Sequence, residues 1–290
     1  MPTNLVKKVA AIHDMCGAGR VSLTAVIPVL SAMGIEACPL PTALLSNHTQ
    51  YPSFSFLDLT DNMVAMINEW KTLDIRFDAI YSGFLGSTRQ IDIVANFIAD
   101  FRRDETLVVV DPVLGDNGKL YATFDDSMVE GMRRLVNSAD VITPNLTEAF
   151  ALLGRPYQTT LTETELKTIL KDLAAMGPKT VIITSVPIEG DAQHTSVAAY
   201  STETDRFWRV TCQYMPAHYP GTGDTFTSVL TGALLQGESL PMAIDRAAQF
   251  ILQGIRATFG YRYDPREGVL LERVLPSLSE PLKTSTYEWF

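Results

Sequence analysis

Pro220-Gly221-Thr222-Gly223-Asp224-Thr225-Phe226 is the stretch that decides the prediction of the fold, because it places a glycine-bounded turn directly before an apolar, helix-periodic run over residues 227–235. Gly221 and Gly223 can adopt backbone angles that are forbidden to other residues, and they let a ligand approach the main chain closely. The first free N–H groups of the following helix would point at that ligand, with the positive end of the helix dipole behind them. The stretch therefore predicts a site for an anion such as a phosphate.

Asp224 is unusual in such a turn, because a carboxylate repels a bound phosphate. It is useful there if it takes the proton from a hydroxyl group that attacks a phosphorus atom. The motif therefore indicates a phosphoryl-transfer centre. The four residues alone leave a second interpretation open, in which Asp224 only caps the helix and interacts with its dipole.

The composition is that of a folded globular protein. The chain has 290 residues, of which 46% are hydrophobic and 19% are charged, and this is enough for a substantial core. The formal net charge of −10 argues against nucleic acid or an anionic membrane as a partner. No apolar stretch approaches the roughly 18 residues that a membrane span requires.

The cysteines indicate the compartment. Cys16, Cys38 and Cys212 are odd in number and scattered, which matches neither a disulfide framework nor a Cys-x-x-Cys metal site. The apolar run at residues 9–12 is too short for a signal peptide. We therefore expect a cytoplasmic protein.

Short apolar runs alternate with helix-periodic segments from residue 9 to about residue 185. The strands are predicted at residues 9–12, 35–39, 78–81, 107–110, 141–142 and 180–184. The helices are predicted at residues 23–33, 59–73, 90–101, 127–137 and 163–176, with a further one at 242–258. This alternation predicts an α/β fold with three layers, in which helices cover both faces of a mainly parallel sheet.

Other segments complete this prediction. Residues 194–200 and 206–212 predict a hairpin that adds antiparallel strands at one edge of the sheet. Pro28 should kink the first helix or mark its true start. The tail, at about residues 275–290, is rich in Ser, Pro and Leu and is expected to be irregular. No repeat or linker divides the chain, so residues 1–290 are predicted to form one domain.

Four segments that follow predicted strands carry the candidate chemistry: Asp111 to Asp116, Asn145 with Glu148, Thr184-Ser185, and Gly221 to Asp224. In open α/β sheets, ligands bind outside the carboxyl ends of the strands. Acidic groups beside a triphosphate need a divalent cation, and Mg²⁺ prefers oxygen ligands. Each residue alone could be a cap or a solvated turn residue, but their joint placement favours a nucleotide site.

Several other classes of site are excluded by missing motifs. The sequence has no Gly-x4-Gly-Lys-Ser/Thr loop and no Gly-x-Gly-x-x-Gly after the first strand, so neither a Walker-type NTPase nor a dinucleotide-binding fold is predicted. His13, His48, His194 and His218 lack metal-ligand spacing. A Ser-His-Asp triad lacks its Gly-x-Ser-x-Gly elbow.

Six segments together resemble the pyridoxal kinases of the ribokinase superfamily, in order and over nearly the whole chain. They are SNHTQY (46–51), SGFLGS (82–87), DPVLGDNG (111–118), ITPNLTEA (142–149), MGPKTVIITS (176–185) and GTGDTF (221–226). The last segment alone would indicate only a ribokinase-like protein. The first two segments point to vitamin B6.

The resemblance implies ATP-dependent phosphorylation of the 5′-hydroxymethyl group of pyridoxal, pyridoxine or pyridoxamine. By analogy, Asp224 is the general base, and the amides around Gly221, Thr222 and Gly223 bind the transferring phosphoryl group. The remaining nucleotide and metal contacts are implied in the same way. Asp111 and Glu148 serve Mg²⁺ and, with Asn145, the phosphates; Asp116 and Tyr121 close over the nucleotide; Thr184 and Ser185 reach its phosphate end.

The same resemblance places His48, Thr49 and Phe84 around the pyridine ring of the substrate. Two positions depart from the family pattern. Asp14 stands where the pyridoxal kinases have a Ser that contacts the ring, and Phe84 stands where a Tyr is usual. We hypothesise that Asp14 pairs with a protonated nitrogen or an amine of the vitamer, which would favour pyridoxamine.

Two alternative functions stay open. The segment from Asp14 to Arg20 is more similar to the hydroxymethylpyrimidine kinases of thiamine synthesis, which share the fold. A binding protein that keeps the vitamer pocket but transfers nothing is the alternative from another class. The resemblance also implies a homodimer, whereas dependence on a monovalent cation such as K⁺ cannot be read from the sequence.

Overall fold

The structure is a computed structural model that describes residues 5–280 and 285–290. In chain order the strands are β1 Lys8–Ala18, β2 Glu36–Asn47, β3 Phe56–Asp58, β4 Ala79–Ser82, β5 Leu107–Val110, β6 Gly115–Asp116, β7 Lys119–Leu120, β8 Val141–Ile142, β9 Thr180–Ile188, β10 Asp191–Ser201, β11 Arg206–Gln213 and β12 Tyr287–Trp289. The α-helices are α1 Leu23–Ala32, α2 Thr60–Thr72, α3 Thr88–Phe101, α4 Asp126–Asn137, α5 Leu146–Leu153, α6 Glu163–Ala174, α7 Thr222–Leu235, α8 Leu240–Thr258 and α9 Leu271–Val274.

One large sheet forms the middle layer. Its ten strands lie in the order β12-β11-β10-β9-β8-β5-β4-β1-β2-β3 within the described part of the chain. The strands from β9 to β2 in that order pair in parallel, while β3 at one edge and β10, β11 and β12 at the other pair antiparallel. The prediction of a mainly parallel sheet with antiparallel edge strands is confirmed.

Helices cover both faces of this sheet, as the sequence predicts. Along β1, the side chains of Ala10 and Ile12 pack into the layer formed by α2 to α6, and those of Val9 and Ala11 pack into the layer of α1, α7, α8 and α9. Strand β5, predicted to be buried on both faces, has three consecutive valines with no exposed surface. Such strands read as continuous apolar runs because neither face meets water.

The first two strands are longer than predicted. The polar residues after Ile12 suggest a turn, but β1 continues to Ala18 and pairs with β2 as far as Asn47, across a register shift between His13 and Met15. In this extension the backbone groups of β1 and β2 form hydrogen bonds with each other. Both strands can therefore continue through residues whose polar side chains would otherwise favour a turn. As a result, β1 brings Asp14 and Cys16 into the sheet.

The tail was predicted to be irregular, and the structure differs from this. Residues Leu275–Ser279 form a 3₁₀ helix, and β12 pairs with β11. The buried carboxylate of Asp245 accepts hydrogen bonds from N and Oγ1 of Thr286, at 2.9 and 2.7 Å. These long-range contacts override a local composition that favours no regular structure. Residues 281–284 of the tail lie outside the described part.

Two further predictions concern helices. Helix α1 continues from Leu23 to Ala32 with Pro28 inside it, so Pro28 does not mark the start of the helix. In the described ranges 5–280 and 285–290, we find no helix that combines the length and the apolar character needed to cross a bilayer.

Candidate active site

The predicted site loops lie side by side at one edge of the sheet. Strands β5, β8 and β9 are parallel neighbours, so their carboxyl ends meet there. The backbone continues this arrangement beyond the strands, because Asn145 forms a bridge with Thr184 and the Thr184 amide donates to the carbonyl of Pro144 at 3.0 Å. The prediction that these loops open on the same edge is confirmed.

The glycine-bounded turn is the first turn of α7. The helix was predicted from residue 227, but it begins at Thr222, with Gly221 as its N-cap in the left-handed region at φ 80°. The amides of this first turn have no acceptor within the helix. A side chain on Gly221 would have no room, because a Cβ atom there would lie 2.0 Å from the carbonyl oxygen of Arg20.

Asp224 faces the β1–α1 connection. Its Oδ2 accepts a hydrogen bond from the backbone N–H of Ser22 at 2.8 Å, and its Oδ1 lies 3.7 Å from Nδ1 of His13. The side chain is 14% exposed. Burial raises the pKa of Asp224 to about 6, and the negative charge of Asp14 adds to this rise. Because the Asp224 carboxylate accepts a hydrogen bond from Ser22, it does more than cap its own helix.

Asp111 and Glu148 form a buried acidic pair beside this turn. Burial raises the pKa of Asp111 well above its usual range, and the charges of Glu148 and Asp224 act in the same direction. Asp111 lies close to the first turn of α7, because a Cβ atom added to Gly223 would be 3.9 Å from its Oδ2 atom. Burial also raises the pKa of Glu148 to about 8. Three carboxyl groups, those of Asp111, Glu148 and Asp224, therefore lie close enough to influence one another beside the first turn of α7.

Glu148 also connects two loops. Its Oε1 accepts from the amide of Leu114 at 3.1 Å, and its Oε2 accepts from the amide of Asn145 at 2.8 Å. The Asn145 side chain completes a capping box by accepting from the Glu148 amide, and it donates to the carbonyl of Gly115 at 2.8 Å. Glu148 thus fixes the loop after β5 against the start of α5.

Asp116 and Tyr121 lie around the β6–β7 hairpin, which the sequence did not predict. Asp116 accepts from the amide of Asn117 at 2.8 Å, and its Oδ2 lies 3.9 Å from Nδ1 of His218. The Tyr121 amide donates to the carbonyl of Leu114, and its side chain is partly exposed. The hairpin is therefore part of the connection between β5 and α4, with Asp116 in β6 and Tyr121 directly after β7.

Ser185 is exposed and Thr184 is half-buried at the end of the parallel part of β9. Ser185 has a φ of 56°, in the left-handed region that few residues other than glycine adopt. Such backbone strain is found in structures at ligand-binding positions. The two side chains lie at the site edge, beside the loop that holds Asn145.

Asp14 is buried beside Asp224, with both carboxylate oxygens engaged. Its Oδ1 accepts from Oγ of Ser22 at 2.6 Å, and its Oδ2 accepts from Sγ of Cys16 at 3.3 Å. Burial raises the pKa of Asp14, although these two hydrogen bonds oppose the rise. Ser22 therefore contacts both acidic groups, through its side chain in one case and its backbone in the other.

The predicted ring-binding residues are not all equally accessible. Phe84 is half-buried and stacks on Phe124, with ring centroids 5.6 Å apart. His48 is buried, with its Nε2 2.5 Å from the carbonyl oxygen of Arg266, whereas Thr49 is exposed. His48 thus packs against the segment around residue 266.

An open groove of about 580 Å³ lies next to the glycine-bounded turn. Its walls come from residues just before the turn and from the loops around residues 50 and 260. They include Gln50, His218, Pro220, Tyr261, Tyr263 and Arg266. The glycine-bounded turn is therefore next to an open groove whose walls are partly aromatic.

The sequence did not single out His13 and Ser22 as site residues. Ser22 acts through its backbone amide, which carries no sequence signal. His13 lacks metal-ligand spacing, but its place immediately before Asp14 is a usable signal in the sequence.

The chain is similar to several known proteins. The family model described as phosphomethylpyrimidine kinase matches residues 15–266. A Bacteroides thetaiotaomicron protein assigned to those kinases, crystallised with pyridoxal, is 64% identical over 98% of this chain and 100% of its own, with a TM-score of 0.96. Pyridoxal kinase from Lactobacillus plantarum is 34% identical, with coverage of 94% and 96% and a TM-score of 0.86. Pyridoxal kinase from Arabidopsis thaliana is 29% identical, over 88% of this chain and 84% of that protein.

The replacement Gly221→Ala tests the close approach of the turn to Arg20. We expect a loss of about 1–2 kcal/mol in the free energy of unfolding from the left-handed backbone, and about 1–3 kcal/mol more from the clash. Gly237→Ala is the matched control, because Gly237 has a φ of 85° and no atom within 4 Å of the added Cβ. Chemical denaturation measures both variants, and equal losses would contradict the clash.

Proposed function

The chain belongs to the phosphomethylpyrimidine kinase family, and we propose that it is an ATP-dependent kinase that phosphorylates the 5′-hydroxymethyl group of a vitamin B6 vitamer. The observation that carries this proposal is the position of Asp224, whose carboxylate is held by Ser22 within the first turn of α7. The pyridoxal in the crystals of the Bacteroides relative supports the substrate class.

The proposed step is an in-line transfer. The alcohol oxygen of the vitamer attacks the γ-phosphorus of ATP, the bond from that phosphorus to the departing ADP oxygen breaks, and Asp224 takes the alcohol proton. The amides of Thr222 and Gly223, with that of Gly221, would stabilise the charge on the transferring group. Phosphoryl transfer needs this alignment and charge stabilisation more than covalent chemistry by the protein.

We propose Asp111 and Glu148 as the carboxylates that hold Mg²⁺. The pair fits a divalent cation, because burial raises both pKa values and the charge of Glu148 adds to the rise at Asp111, so a cation between them would favour the ionised carboxylates. No cluster of three or more His, Cys, Asp or Glu side chains suited to a metal occurs in the described residues, and Mg²⁺ commonly combines one or two carboxylates with phosphate oxygens and water. Its chemistry there is to neutralise phosphate charge.

The other nucleotide contacts are proposals of the same kind. Asp116 and Tyr121, in and directly after the hairpin that follows β5, would close over the nucleotide. Asn145, Thr184 and Ser185 would contact its phosphates from the ends of β8 and β9. Their shared position at one sheet edge supports these roles.

On the substrate side, Phe84, Thr49 and His48 would contact the pyridine ring. Asp14 would contact a nitrogen of the vitamer. Its buried position next to Asp224 supports this, because a protonated amine or pyridine nitrogen would neutralise a carboxylate whose pKa is raised by burial. This arrangement favours pyridoxamine.

Hydroxymethylpyrimidine is the second candidate substrate. The family description and the segment from Asp14 to Arg20 both favour it. The alternative that the chain only binds a vitamer and has no activity has less support. A protein that only binds its ligand would not require a carboxylate fixed at residue 224 among anion-binding amides.

We propose a homodimer as the assembly. Met15, Leu44 and Leu57 are register partners on β1, β2 and β3, and their side chains are 39%, 45% and 57% exposed. They form an apolar row on the outer face of the sheet extension, and a second copy of the chain would cover it.

We also propose the reducing cytosol as the compartment. Cys16, Cys38 and Cys212 are all free thiols, and a protein of an oxidising compartment would more often pair them. Detection of the protein only in the periplasmic or extracellular fraction of its cell would disprove this.

Substrate preference tests the function directly. ADP formation from ATP should be measured with pyridoxal, pyridoxine, pyridoxamine and hydroxymethylpyrimidine side by side, with Mg²⁺ present or chelated and with K⁺ or Na⁺. We expect turnover of the B6 vitamers that requires Mg²⁺, with pyridoxamine preferred. Turnover of hydroxymethylpyrimidine alone would establish the second candidate, and no turnover would leave only binding. Pyridoxamine as the poorest vitamer would refute the role of Asp14.

The replacement Asp224→Asn tests the general base. We expect kcat to fall by about 10²–10⁴-fold while the fold is retained. In the unchanged enzyme kcat/KM should rise with pH and level off above about pH 6, because the base must be ionised and the pKa of Asp224 is raised to about 6. The variant should lack this acid limb. An Asn variant with full activity would exclude Asp224 as the base.

The replacement Leu44→Glu tests the dimer. A charge in the middle of the apolar row should convert the dimer into a monomer, as measured by sedimentation. Leu73→Glu is the control, because Leu73 is 61% exposed and lies outside the row. A monomeric unmodified protein, or a Leu44→Glu dimer as stable as the control, would reject this interface.

A further inference from the structure

His13 is a buried side chain whose polar atoms have no partner. It follows Ile12 in β1, and none of its surface is exposed. Neither Nδ1 nor Nε2 has a hydrogen-bond partner among the residues that the structure describes. Buried polar groups in proteins are nearly always hydrogen-bonded, so each exception needs a physical explanation.

The surroundings of the His13 ring restrict where a partner can lie. The ring packs edge-on against Tyr81, with centroids 4.4 Å apart. On another side it touches the backbone of Gly83, where an added Cβ would lie 2.2 Å from Nδ1. The charged group that faces Nδ1 is Asp224, whose Oδ1 is 3.7 Å away. This distance is slightly longer than a hydrogen bond, so the two groups must move closer together before they can bond.

The two carboxylate oxygens of Asp224 differ in their contacts. The Ser22 amide occupies its Oδ2, while Oδ1 faces His13. Burial lowers the pKa of His13 to about 3, so the ring is neutral near neutral pH. A neutral ring with its proton on Nδ1 can donate to Oδ1 without adding a positive charge that would weaken the base.

We propose that His13 is a positioning residue for the phosphoryl-transfer step, with Nδ1–H donating to Oδ1 of Asp224. The two donors, Ser22 N–H and His13 Nδ1–H, then fix the plane of the carboxylate and direct a remaining lone pair of Oδ1 at the substrate hydroxyl. This inference rests on the proposed kinase function. It also explains the absence of a side chain at Gly83, since any Cβ there would displace the ring.

Three replacements at His13 test the position of the donor. His13→Asn places an amide nitrogen near the position of Nδ1, His13→Gln places one near Nε2, and His13→Leu removes both donors. We expect the Asn variant to keep kcat within a factor of about two. The Gln and Leu variants should lose about 10- to 100-fold in kcat, with the KM for the alcohol substrate unchanged. A merely structural role would not separate Asn from Gln in this way.

The Asp224→Asn background supplies the second measurement. Since His13 is proposed to act only through the carboxylate, adding His13→Leu to Asp224→Asn should cause no further loss of kcat. Any one of three results would overturn the inference. They are a His13→Leu variant with full kcat, a His13→Asn variant as impaired as His13→Gln, and a loss of kcat from His13→Leu that is equal with and without Asp224→Asn. If the Leu variant does not fold, the Asn and Gln variants decide, alone and with Asp224→Asn. An unmodified enzyme without activity would overturn the proposed function and this inference together, whereas an active enzyme indifferent to His13 overturns only the inference.

Discussion

The site depends on one hydrogen bond, from the backbone N–H of Ser22 to the carboxylate of Asp224. The two residues are 202 positions apart in the sequence, so this contact joins the first βα connection to the first turn of α7. A backbone amide neither titrates nor rotates away, and it therefore fixes the carboxylate while leaving its charge intact. Ser22 has an unusual φ of 47°, and its side chain holds Asp14 at the same time.

Much of the fold and the place of the site could be predicted because both depend on local patterns. A continuous apolar run such as Leu107–Val110 marks a strand buried on both faces, and the parallel order brings the ends of such strands to one edge. Asn145 followed by Glu148 is a helix-start signal, and the structure contains that capping box. The turn at residues 221–224 lies beside these loops for the same topological reason.

Other features of the site depend on contacts between distant residues and could not be predicted. Glu148 was expected to serve a metal, yet the structure shows that its two oxygens also hold the Leu114 and Asn145 amides. The burial of His13 follows from packing against Tyr81 and Gly83, which no periodicity reveals. The extension of β1 to Ala18 likewise required a partner strand, because its sequence contains Gly17 and polar residues that locally favour a turn.

The final strand has a consequence for biosynthesis. Strand β12 covers the edge of β11, and an uncovered edge offers unpaired N–H and C=O groups to other chains. Strand β12 follows all the other strands of this sheet in chain order, so the edge of β11 stays open until residues 287–289 have been synthesised. A nascent chain therefore carries an open strand edge that can pair with other chains until Tyr287 to Trp289 dock on β11.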